Sequence, residues 1–107
     1  MPTTTIPRGS ARGLNIATAV LSPTSVANAT SAEQTFTLQG LALNDGVYVN
    51  KPAAQAGLGI VGCRVSAANT LAITFMNATA ATITPTAGEI YTVMRVTPEA
   101  NPPLTVL

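Results

Sequence analysis

From Leu71 to Asn77 the chain alternates, with Leu71, Ile73 and Phe75 on one side and Ala72, Thr74 and Met76 on the other. A two-residue repeat of this kind marks an extended strand with one face in a core and a lighter face outside. Asn69-Thr70 before the run and residues 77–81 after it are breakers, so the strand is bounded at both ends. A second strand, Ile90 to Val96, follows Pro85-Thr86-Ala87-Gly88, a turn that joins a φ-locked proline to a permissive glycine. The two are expected to pair antiparallel, and a pair needs further strands to be stable in water.

The rest of the chain supplies them. Leu14 to Leu21 reads as a first strand, with Leu14, Ile16, Thr18 and Val20 on one side and Ser22-Pro23-Thr24-Ser25 at its end. Gln34 to Leu38 reads as a second, with Phe36 and Leu38 inward and Thr35 and Thr37 outward, continuing through residues 40–43. Asn44-Asp45-Gly46 is a turn leading into Val47-Tyr48-Val49, and Asp45 fits a carboxylate bonded to backbone amides better than a metal ligand. Residues 53–56 suggest a short helical turn. Ile60 to Val65 is a further strand that turns through Ala67-Ala68-Asn69 into the central one.

Six or seven short strands without an amphipathic helix predict an all-β fold, a small antiparallel sandwich or barrel. The last strand is apolar on both faces, Tyr91 and Val93 against Ile90 and Met94, more than 107 residues can easily cover. Self-association is the simplest account. The domain reading is an extended N-terminal arm over residues 1–13, a core over 14–97 and a proline-rich tail over 98–107, whose apolar tip, Leu104 to Leu107, would tuck against a neighbour.

Composition narrows the function. Leu, Ile, Val and Phe make up about a quarter of the chain, enough to fold. Charged residues are only 8% and the net charge is +1, against roughly a quarter charged in ordinary soluble domains. Sparse charge with many Thr, Ser and Asn residues points to an extracellular or particle-borne protein whose surface is largely occupied. Five basic residues scattered along the chain build no nucleic-acid groove. The long charge-free spans are broken by Asn, Ser, Thr and Pro, so no membrane partner is expected. Arg8 and Arg12 before Ile16 to Leu21, with Ala27-Asn28-Ala29 beyond, resemble a signal peptide, but the apolar run is short and interrupted by Thr18, which disfavours cleavage.

Chemistry is scarce. One cysteine and no histidine exclude an intrachain disulfide and an ordinary zinc site. Cys63 beside Arg64 could be an activated thiolate, yet no base accompanies it, and a small packing residue is the better reading. The acids are Glu33, Asp45, Glu89 and Glu99, which offer no evident hydrolytic pair. The expectation is a non-enzyme without cofactors. The sequons at Asn28 and Asn77 carry weight only if the chain passes a glycosylating compartment. Tyr48 and Tyr91 are the only tyrosines and Trp is absent, a weak basis for glycan recognition.

The N-terminal stretch holds two prolines and two glycines with Thr3, Thr4, Thr5 and Ile6, then Arg8 and Arg12. Two readings fit it: a terminus without structure of its own, or an arm that adds a strand to a neighbour. In the second reading Thr3 to Ile6 pair through the backbone, Ile6 anchors, and Arg8 and Arg12 reach acidic groups.

From Thr35 to Val96 the chain also resembles small virion structural proteins of tailed bacteriophages. The segments that carry the likeness are Phe36 to Leu41, Asp45, Asn50-Lys51-Pro52, Gly57 to Ile60, Arg64 to Leu71, Phe75-Met76-Asn77 and Thr84 to Gly88. In particular the chain is similar to capsid decoration, or cement, proteins of the head exterior. The resemblance implies an all-β homo-oligomer, often a trimer, made in the host cytoplasm and placed on the outer surface of the virion. It implies the major capsid protein as partner, gripped by the N-terminal arm. Tail or head-fibre modules that recognise a host surface look similar and form the alternative.

Overall fold

The computed structural model describes residues 11–100. Six strands follow one another: β1 (Ala11–Leu21), β2 (Thr30–Thr37), β3 (Gly46–Asn50), β4 (Leu58–Ala67), β5 (Thr70–Asn77) and β6 (Glu89–Pro98). There is no helix among the described residues. The strands form two three-stranded antiparallel sheets, in the orders β1-β6-β3 and β2-β5-β4. The all-β expectation holds.

The expected pairing of the two clearest strands does not hold, because β5 and β6 are the centres of different sheets. The reason lies in residues 78–88, too long for a tight turn and fastened along their length. Val26 and Ile83 exchange both backbone hydrogen bonds, at 2.7 and 3.1 Å, and Pro85 is fully buried. Gly88 N–H donates to Leu21 O at 3.1 Å, which delivers the chain to β6 beside β1.

Asn77 is the hinge of this connection. Its side chain is wholly buried and uses every polar site: Nδ2 donates to Val26 O (3.0 Å) and Ala81 O (2.8 Å). Oδ1 accepts from Thr79 N–H (2.9 Å) and Thr79 Oγ1 (2.7 Å). A buried amide is tolerated only when satisfied in this way. Gly57 packs against the same loop at φ +81°, where an added Cβ would lie 2.1 Å from Thr79 Cγ2.

Two other segments differ from expectation. Residues 40–43 do not extend β2, which ends at Thr37. Gly40, at φ +96°, donates its N–H to Asn69 Oδ1, and Leu41 O accepts from Asn69 N–H, so backbone groups a strand would need go to the β4–β5 turn. Residues 53–56 form no helical turn. Lys51 Nζ donates to Ala53 O, Gln55 forms a bridge with Leu58, and the Gln55 amide holds Thr84 O and Thr86 N–H. Strand limits shift as well: β2 starts at Thr30, and β1 reaches back to Ala11, which puts Arg12 and Gly13 on a strand.

The core draws on both sheets. Leu71, Ile73 and Phe75 of β5, Val65 of β4, Leu21 of β1, and Tyr91 and Val93 of β6 form one apolar cluster with Val26 and Leu41. Leu71, Ile73, Phe75 and Tyr91 are all at 0% exposure, so the face read from the alternation of β5 is the buried one. Full burial of each such side chain contributes roughly 1.5–3 kcal/mol.

Candidate interaction surface

The outer faces of the two sheets differ in kind. On β2-β5-β4 the outer face is mostly polar: Ser31, Glu33, Thr35 and Thr37 on β2 flank Thr74 on β5, with Arg64 beyond, and Met76 is the large apolar side chain that β5 exposes there. Arg64 reaches across β5 to Glu33 in a two-pronged bond, Nε to Oε2 at 2.8 Å and Nη2 to Oε1 at 2.9 Å. These bonds hold the Glu33 carboxyl below the usual range and raise the guanidinium. The pair is solvent-exposed, so it shapes the surface more than it stabilises the fold.

The outer face of β1-β6-β3 is apolar. Register pairs Leu14 with Val96, Ile16 with Met94 and Val20 with Ile90, while Tyr48 of β3 lies beside Met94. A single polar rung, Thr18-Thr92-Asn50, crosses the middle. Leu14, Ile16, Val20, Tyr48 and Ile90 are 57–72% exposed. None of these positions is charged. Opposite them, the core face of β1 contributes mainly Ala19 and Leu21, with Ala17 left exposed. Hydropathy alone would have chosen the reverse for this edge strand.

The described charges are engaged elsewhere. Lys51 Nζ meets Glu89 Oε1 at 2.8 Å at one end of the sheet, and both side chains are nearly covered. Arg95 lies on the core side, where it donates to Gly40 O, reaches Asn15 Oδ1 at 3.3 Å and faces Asp45 Oδ2 at 3.8 Å. Asp45 itself accepts the Ala42 N–H at 3.1 Å, as its turn setting predicts. A groove of about 380 Å³ beside Arg95, lined by Asn15, Ala17, Leu38, Leu41 and Val93, presents a guanidinium whose Nη atoms are bonded to Gly40 and Asn15 and whose buried Nε faces Asp45 without a hydrogen bond.

Among the expected site residues, Thr3, Thr4, Thr5, Ile6 and Arg8 lie outside the described residues, and Arg12 stands exposed on β1. Arg12 lines a small hollow with Asp45, Thr97 and Glu99, so it sits at the end of the sheet and off its apolar face. Cys63 is half-buried, and its thiol donates to Val47 O at 3.2 Å, tying β4 to β3 as a packing residue would. Asn77, one of the two sequon asparagines, is enclosed and has no free amide proton to offer. No cluster of His, Cys, Asp or Glu suited to a metal occurs among the described residues, and no described helix is long and apolar enough to cross a membrane.

Sequence reasoning weighed Tyr48 only as a weak basis for glycan recognition and did not read which way it points. The signal was present: in Val47-Tyr48-Val49 the valines take the core side, which places the tyrosine outside. No family model matches the chain, and no curated protein or solved structure matches it.

Proposed function

We propose that this chain is a structural virion protein, a capsid decoration or cement protein that binds the outside of a phage head and stabilises the lattice of the major capsid protein. On this reading it is a small sandwich that self-associates, most simply as a trimer, and carries out no catalysis. The observation that supports the reading most is the surface: a broad charge-free apolar sheet face on a chain with only 8% charged residues. Such an exterior suits a protein that works covered by other protein. The resemblance to cement proteins points the same way.

The shell contact is assigned to the arm, Thr3, Thr4, Thr5, Ile6, Arg8 and Arg12. Backbone pairing supplies affinity, Ile6 fills an apolar notch, and the arginines meet acidic groups. Several arms on one oligomer bind with a shared effective concentration, so weak single contacts add up to firm attachment. The test is sedimentation of the protein with mature and unexpanded heads built from its cognate major capsid protein. Wild type should bind mature heads only, and Ile6→Asp should abolish binding by forcing a carboxylate into the notch unpaired. Equal decoration by both proteins would refute the assignment.

A second reading, a tail or head-fibre module for a host surface, is favoured by one feature. Tyr48 stands 72% exposed by Asn50 and Thr92 in a shallow hollow, the mix of ring and carboxamide that sugar stacking uses. Binding to host envelope fragments in place of heads would select it.

A further inference from the structure

We infer that the outer face of the β1-β6-β3 sheet is the surface through which copies of this chain associate, each copy presenting the same face. The inference rests on the self-association in the function just proposed and names the surface that carries it.

Chemistry selects the occupant. Three apolar rungs and one rung of Thr18, Thr92 and Asn50 make a face without charge. A charged partner finds nothing there to pair with. A lipid surface is favoured by basic residues beside the apolar ones, and this face has none. A second copy fits on both counts, because hydrocarbon meets hydrocarbon and the Thr and Asn groups, which both donate and accept, can satisfy one another. A face that matches itself is what two-fold association requires, while around a three-fold axis one part of the face meets another part of the same face on the next copy.

Area supports the same choice. Leu14, Ile16, Val20, Tyr48, Ile90 and Val96 retain between 37% and 72% of their free exposure. Together, on the two sides of the Thr18-Thr92-Asn50 rung, they present on the order of 700 Å² of accessible surface, most of it hydrocarbon. It approaches the roughly 800 Å² per partner of a standard stable interface. Two copies face to face bury it, as do three copies with this face turned to a common axis. The other side of the same sheet is already core, so association would leave β6 covered on both faces, as its composition suggested.

Analytical ultracentrifugation of the full chain at micromolar to 100 micromolar concentration tests this, with far-UV circular dichroism as the check on folding. Wild type should sediment above the 10.8 kDa of one chain. Ile16→Asp should sediment as a monomer with an unchanged spectrum. Ile16→Thr with Val20→Thr keeps β-branched residues for the strand and should raise the dissociation constant at least tenfold. Thr35→Asp, on the polar face of the other sheet, should associate like wild type. Ile16→Asp and the double variant both at wild-type mass would overturn the face while leaving self-association intact. A monomeric wild type would overturn both, and protection of this face only on adding capsid protein would give it to the shell. Association through this face without any head binding would sink the capsid reading and leave the inference standing.

Discussion

Replacing Asn77 by Asp tests the view that one buried amide holds the connection between the sheets. The change alters no volume. It removes the two bonds donated by Nδ2 and sets a carboxylate oxygen about where that nitrogen lay, 3.0 Å from Val26 O and 2.8 Å from Ala81 O. Two lost bonds cost about 2 kcal/mol. Confronting two carbonyls with an uncompensated buried charge adds about 2 kcal/mol more, since an unpaired buried ion is destabilising by several kcal/mol and part is avoided by protonation. The total, roughly 4 kcal/mol, should lower Tm by about 15–25 °C in a domain this size. The sign of the pH dependence separates charge from lost bonds. Burial and the facing carbonyls raise the introduced carboxyl above its unfolded value, so it is neutral when folded at low pH and penalised as pH rises above the unfolded pKa. Thermal melts by circular dichroism at fixed protein concentration, at pH 4 and pH 7.5, should therefore show a smaller deficit at pH 4. Asn77→Leu, which carries no charge, should lack that dependence. A loss below about 0.5 kcal/mol for Asn77→Asp at pH 7.5 would refute the argument.

Two further outcomes follow from the charged and phenolic groups. Glu33, held low chiefly by the Arg64 hydrogen bond, should titrate below an ordinary glutamate by NMR and return to the ordinary range in Arg64→Ala. Its contribution to stability is present above the unfolded pKa and is lost as pH falls through the lowered folded value. Tyr91 is fully buried with its hydroxyl unpartnered among the described residues, and desolvation first, then Glu89, push the phenol up. Tyr91→Phe should therefore be neutral or stabilising by up to about 1 kcal/mol in urea denaturation. It should also lessen the loss of stability that wild type suffers above the ordinary tyrosine pKa, where the unfolded state releases the proton more readily.

The sequence by itself determined the strands and their periodicity. Leu71, Ile73 and Phe75 had to share a face because alternation is a property of the extended backbone, and that face is the core. The Asp45 turn and the Ala68-Asn69 turn were legible too, since local side-chain chemistry sets them. Scarce charge and the absence of histidine could be read without any structure.

Tertiary structure decided which strands pair and which faces are covered. β5 and β6 are consecutive and similar, yet they centre separate sheets, because residues 78–88 are bound to Asn77 and Val26 and carry the chain across. On β1, alternation shows that Leu14, Ile16 and Val20 belong together and that Ala17, Ala19 and Leu21 belong together. It does not say which set is covered. Tyr91, the cross-strand neighbour of Ala19, and Phe75 of the other sheet fill the core there, so small residues on the edge strand suffice and the bulky set remains outside. Periodicity is local physics, whereas the choice of face depends on the volume that distant strands bring to the core.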